Sequence, residues 1–178
     1  MVGSIILLSG ISSSGKSAIA HEMQKALPEP WVILSADRVL GGFPFDHPAV
    51  HVDEVWRPLG LLFYETIGRF VDGGFNVIAE QVFQDSRQLG DAVATLARRM
   101  LWFVGVHCDL DVAEQREAVR RDGTKVGTAR YHSERVHRHG HYDIEIDTSA
   151  MTAQQAAASI VEQLGPAPSA FSRLATPE

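Results

Sequence analysis

Apolar residues along this chain follow two alternating rhythms. Short apolar, strand-like runs occupy Ser4–Ser9, Trp31–Ala36, Asn76–Val82, Leu101–Cys108 and Tyr142–Asp147. The middle three are almost continuous in Val, Ile, Leu, Phe and Trp, as in parallel strands covered on both faces. Between the runs, apolar residues recur at helical spacing. Ile19, Met23 and Leu27 lead to Pro28. Leu59, Leu62, Phe63, Ile67, Phe70 and Val71 end at Gly73-Gly74. Leu89, Val93, Leu96 and Met100 follow Asp85-Ser86, a start signal of the usual polar kind. Asp111 and Glu114 predict a capped helix reaching Arg121. Thr152 and Gln155 predict another, carrying Ala156, Ile160, Val161 and Leu164 and stopped by Gly165-Pro166. Strands alternating with helices predict right-handed crossovers and an α/β fold: a five-stranded parallel sheet flanked by helices on both faces. One domain is expected over residues 1–165. The residues from 166 to 178, rich in Pro, Ala and Ser, read as a flexible tail, although Phe171 and Leu174 offer apolar groups for docking.

The overall charge narrows the partners. A net charge of −6 argues against general nucleic-acid affinity, which needs a basic face. Cys108 is the single cysteine, so no intramolecular disulfide framework exists, which suits a reducing cytoplasm. No run approaches the ~20 apolar residues of a membrane span. The chain enters a strand at once, so no signal peptide is expected. A cytoplasmic protein acting on a small molecule, with neither nucleic acid nor membrane as partner, fits these features.

The chemistry concentrates in one string, Gly10-Ile11-Ser12-Ser13-Ser14-Gly15-Lys16-Ser17. It follows a strand-like run and opens a helical pattern, the context that makes G-x-x-x-x-G-K-S a phosphate cradle. Gly10 and Gly15 let successive N–H groups, through Ser12, Ser13 and Ser14 to Ala18, point at a polyphosphate. The helix start adds partial positive charge there. Lys16 reaches β- and γ-phosphates, and the Ser17 hydroxyl completes the shell of Mg2+. A nucleoside triphosphate, ATP by expectation, is the implied ligand.

In open parallel sheets ligands sit beyond the carboxyl ends of the strands. Asp37 follows the second run; it suits a base for an attacking hydroxyl or a ligand to magnesium through water, or else a helix cap. Glu80 and Gln81 end the third run, Glu80 suiting a metal-bound water or substrate hydroxyl, or plain solvation. Asp109, after the fourth, reads as a helix cap. Arg116 and Arg120, four apart, share a helix face from which guanidinium groups stabilise charge in phosphoryl transfer; Arg121 reads as surface. Residues 122–127 read as a hinge in a lid spanning about 120–138. His132, His137, His139 and His141 lack a zinc-like spacing and read as lid and pre-strand residues, His137 facing the cleft from a helix. Phe43, Phe45 and Trp56, in an aperiodic stretch with His47 and His51, predict an apolar acceptor pocket.

These features resemble the chloramphenicol phosphotransferase family, small-molecule O-kinases of the P-loop class. The carriers are Gly10–Ser17, Leu27-Pro28-Glu29-Pro30-Trp31, Asp37, Val82-Phe83, and Gly105-Val106-His107-Cys108-Asp109. Arg116-Glu117-x-x-Arg120 and Tyr142-Asp143-x-Glu145-x-Asp147-Thr148 complete them. The resemblance implies a single-domain P-loop kinase fold with a short lid. It also implies transfer of the ATP γ-phosphate to an antibiotic hydroxyl, with magnesium. Asp37 would be the general base, Lys16 and Ser17 would serve phosphates and metal, and Arg120 the lid-side charge. The loop after Thr148 would touch adenine. Two departures concern the acceptor: Glu80-Gln81 stands where the family has Asp-Asp, and the stretch from Leu40 to Trp56 is shorter. A metabolic kinase for a sugar acid, shikimate-like compound or nucleotide is the second reading. A nucleotide-binding regulatory module is a third, of another class.

Overall fold

The computed structural model describes residues 2–120 and 125–175. Five strands, β1 (Ile5–Ser9), β2 (Trp31–Ser35), β3 (Asn76–Gln81), β4 (Leu101–His107) and β5 (Ile144–Asp147), form one parallel sheet in the order β2-β3-β1-β4-β5. In the central strand, Ile5 and Leu7 face one side, while Ile6 and Leu8 face the other. All four are fully buried. This two-sided burial explains the unbroken apolar runs.

The helices are α1 (Lys16–Ala26), α2 (Ala36–Leu40), α3 (Val52–Asp72), α4 (Ser86–Leu96), α5 (Leu110–Ala118), α6 (Thr128–Ser133), α7 (Ala153–Gln163) and α8 (Ala170–Ala175). Ile19 and Met23 of α1 join Ala156 and Ile160 of α7 on one face. Phe63, Ile67 and Val71 of α3 join Leu89, Val93 and Leu96 of α4 on the other. Several helix starts follow the sequence signals. Asp85 accepts the Gln88 N–H at 2.8 Å, and Thr152 with Gln155 forms a reciprocal capping box.

Three expectations are corrected. The helix after β4 begins at Leu110 with Asp109 in the cap position, its side chain making no capping bond, and ends at Ala118. Asp111 therefore lies in the first turn, where its charge suits the helix dipole. Asp37, for which a helix cap was one reading, lies in the first turn of α2 with Ser35 in the cap position, and α3 starts at Val52, inside the stretch to Trp56 expected to be aperiodic. The tail is ordered where it meets the core. The Asp143 carboxylate accepts the Ser169 and Ala170 N–H groups at 2.7 and 2.9 Å. This capping brings Phe171 onto Phe103, edge to face at 4.9 Å, with Phe171 2% exposed. Apolar burial outweighs the compositional bias toward disorder. No helix among the described residues is long and apolar enough to cross a membrane.

Candidate active site

The turn from β1 into α1 is built by close approach and by backbone conformation. A Cβ on Gly10 would stand 2.3 Å from the Val106 carbonyl oxygen, so this position admits glycine alone. Gly15 has φ +98°, in the left-handed region that glycine occupies without strain. Ser13, at φ 61°, takes the same region without that licence. Alternation of this kind turns neighbouring N–H groups toward one point and makes an anion nest. Strain of this sort collects at functional sites.

Lys16 opens α1 and is 9% exposed. Its Nζ donates to the carbonyls of Gly10 and Ile11, both at 2.8 Å. Burial lowers its pKa to about 8, opposed by the charges of Glu80 and Asp37 and assisted by Arg120. One crevice is lined by Lys16, Ser35, Asp37, Glu80, Gln81 and Val82. It lies at the carboxyl ends of β2 and β3, where ligands of open α/β sheets bind. Beside it, Ser17 Oγ donates to Glu80 Oε2 at 2.7 Å. A hydroxyl with neighbouring carboxylates is a hard-oxygen donor set, suited to magnesium. Among the described residues no group of three or more His, Cys, Asp or Glu forms a metal cage. A larger depression, lined by Gly3, Asp72, Thr95 and Arg98, lies at the strands' amino ends and touches none of these groups.

The arginines close the phosphate loop from α5. Arg120, just past the helix, donates to Ser13 Oγ at 3.2 Å. Arg116 donates to the Thr148 carbonyl at 2.7 Å and to its hydroxyl at 3.3 Å. Thr148 Oγ1 in turn donates to Ser14 O at 2.8 Å. Two segments far apart in sequence thus brace the loop through one hydroxyl. Ala18 is exposed in the first turn of α1.

The acceptor side is only partly as expected. Gln81 lines the crevice, its Nε2 donating weakly to the Tyr64 hydroxyl at 3.4 Å. The rings of Phe43, Phe45 and Trp56 contact one another: Phe45 stacks on Trp56 at 4.7 Å and tilts against Phe43 at 5.0 Å. Trp56 remains 47% exposed, and none of the three lines the Asp37 crevice. His137 does not sit on a helix. It occupies a turn at φ 72°, stacks on His107 at 4.1 Å, and shares a 2.6 Å hydrogen bond between Nδ1 and the Tyr142 hydroxyl. Burial, with His107 and His139 nearby, lowers its pKa to about 4. The hinge expected over 122–127 lies outside the described residues as far as Thr124, as does Arg121.

Two residues named in the sequence, one in the Arg116-Glu117-x-x-Arg120 string and one among the lid histidines, have contacts that the sequence reading did not assign. Glu117, 2% exposed, accepts the Gly127 and Ala129 N–H groups at 2.7 and 2.9 Å and so fastens the start of α6 to α5. Its signal was the four-residue spacing from Ala113, the other buried residue of α5. His132, on α6, accepts the Ser12 N–H at Nδ1, 3.3 Å away; no local pattern announces that contact.

Comparison with known proteins agrees with this geometry. Residues 3–165 match the family described as chloramphenicol phosphotransferase-like protein. A provisionally named O-phosphotransferase of Mycobacterium tuberculosis is 31% identical over 201 residues, covering 97% of this chain and 88% of that protein. Among solved structures, the Mycobacterium tuberculosis APS kinase in complex with AMPPNP and APS superposes with TM-score 0.71 at 18% identity. That match covers 92% of this chain and 98% of the other. A gluconokinase from Sinorhizobium meliloti gives TM-score 0.63 at 18% identity, over 97% and 93%. At such identities the two structures speak for the fold. The chain belongs to the chloramphenicol phosphotransferase-like family and is a phosphotransferase of the P-loop kinase fold.

Proposed function

We propose that the protein moves the γ-phosphate of ATP to a hydroxyl of a small, partly apolar molecule of the chloramphenicol type, inactivating an antibiotic. The observation that carries this reading is the shared crevice of Lys16, Asp37 and Glu80, at the mouth of the Gly10–Ser17 loop. Loop amides and Lys16 hold the β- and γ-phosphates, and Arg120 adds positive charge where negative charge spreads over the equatorial oxygens. Arg116, through Thr148, keeps the loop in shape, and the segment after Thr148 borders the base. Asp37 accepts the proton of the acceptor hydroxyl as its oxygen attacks phosphorus in line and ADP leaves. Ser17, with Glu80 beside it, would hold Mg2+, and Asp37 would reach the ion through water; the ion would supply neutralisation of phosphate charge.

Among the described residues Lys16 is the one basic side chain lining the crevice, and its charge is committed to phosphate. An uncharged acceptor therefore fits better than an anionic one. Phe43, Phe45 and Trp56 supply an exposed aromatic platform for its apolar part, which requires the 41–56 stretch to fold toward Asp37 when acceptor binds. His137, half-buried in its ring stack, shapes the wall behind.

The test is incubation with ATP, magnesium and a panel of hydroxyl-bearing antibiotics and metabolites, followed by mass spectrometry. A gain of one phosphoryl group on an amphenicol is expected. A product formed only from a sugar acid or nucleotide would replace the antibiotic reading with the metabolic one. Asp37→Asn should abolish transfer while sparing ATP affinity; unchanged turnover would remove the base assignment.

A further inference from the structure

His132 is 7% exposed, and its Nδ1 accepts the Ser12 N–H. That nitrogen therefore carries a lone pair, and the neutral ring holds its proton on Nε2. Burial first, then the Lys16 charge, hold the imidazole below its ordinary pKa, against Asp37 and Glu117. Ser12 follows Ile11, whose carbonyl holds Lys16 Nζ, so its amide sits beside the ammonium that reaches β- and γ-phosphates. The charge of Asp37 acts on both Lys16 and His132. The imidazole thus sits at the Ser12 amide, within electrostatic reach of the Lys16 ammonium and the Asp37 carboxylate.

The ring cannot simply swing away. Ile11 is buried with Ala113 of α5, Ala129 of α6 and Val136 just beyond it, and Glu117 pins the first turn of α6. A phosphate oxygen that takes the Ser12 N–H comes to rest against Nδ1. A lone pair there repels it; a proton there binds it. Exchange with water removes the Nε2 proton and places one on Nδ1, converting repulsion into an N–H···O bond with no change in net charge.

Resting on the nucleotide-binding reading of the Gly10–Ser17 loop, we propose that His132 recognises the terminal phosphate. Its Nδ1 holds the Ser12 amide until that phosphate arrives and then donates to it. The residue distinguishes triphosphate from diphosphate and ties phosphate arrival to α6.

Calorimetric titration with Mg2+ and either ADP or β,γ-imido-ATP tests this in the wild type, His132→Ala and His132→Asn. ADP affinity should stay within about twofold throughout, which also reports correct folding. The imido analogue should bind His132→Ala about tenfold more weakly or worse, the loss of one charge-assisted hydrogen bond. His132→Asn should recover most of that loss, because its amide offers oxygen or nitrogen at the Nδ1 position. Equal weakening of both nucleotides would reduce His132 to a structural residue and overturn the proposal, as would unchanged or tighter imido-ATP binding by His132→Ala. Wild-type protein that binds neither nucleotide would remove the underlying reading and this inference with it.

Discussion

Replacement of Glu117 by Gln tests how strongly its buried carboxylate, alongside the exposed Arg130–Glu114 ion pair, holds α6 to α5. The side chain is 2% exposed and accepts two backbone N–H groups, at 2.7 and 2.9 Å. Gln keeps the volume and one oxygen, but its NH₂ faces the second N–H, donor against donor. One charge-assisted bond disappears, at about 1.5–3 kcal/mol. The sheet does not need to unfold to relieve this, because α6 can undock and let water satisfy Gly127 and Ala129. The undocking equilibrium should therefore rise about 10–100-fold, with a smaller change in global stability. Hydrogen exchange read by mass spectrometry would show faster exchange over residues 127–136, with β1 and β4 unchanged. Transfer activity should fall as well, since α6 carries His132 to Ser12. Exchange over 127–136 equal to wild type would refute the tether, and uniform acceleration across the sheet would refute the claim that the loss is local.

Other consequences can be measured directly. Phe171→Ala should destabilise by about 3–5 kcal/mol, and deletion from residue 166 onward should cost at least as much; denaturant midpoints equal to wild type would return the tail to disorder. Gly10→Ala forces a Cβ to 2.3 Å from the Val106 carbonyl, so both stability and nucleotide affinity should drop, whereas Gly42→Ala, with open space around it, should do neither. Burial holds His137 at about 4 and lowers His139, against ~6.5 when unfolded. Between those values the unfolded chain binds more protons, so stability should fall as pH drops below ~6.5. The slope is at most about 1.4 kcal/mol per pH unit per histidine, reduced by their partial exposure. Urea unfolding at about pH 7 and pH 5 reads it, and equal stability at both would reject the assignment.

Some of the protein was legible before any folding. A strand buried on both faces has to be apolar at successive positions, as in β1, β3 and β4, whereas β5 alternates buried Ile144 and Ile146 with exposed Glu145 and Asp147. The phosphate loop was legible for a similar reason: its chemistry is carried by contiguous backbone amides, with Gly10 and Gly15 dictated by local geometry. Helix starts at Asp85 and Thr152 were equally local, since a cap reaches only three residues ahead.

Tertiary structure alone decided the rest. The order β2-β3-β1-β4-β5 brings Glu80 to Ser17, Thr148 to Ser14 and His132 to Ser12, pairs separated by 63 to 134 positions. No local pattern encodes such meetings, because they depend on which strand ends lie side by side. The Pro- and Ala-rich tail shows the same limit. Composition predicted disorder, yet Phe171 found an aromatic cleft and the Asp143 carboxylate supplied its helix cap. The stability of that segment resides in the surface it covers, which its own residues do not specify.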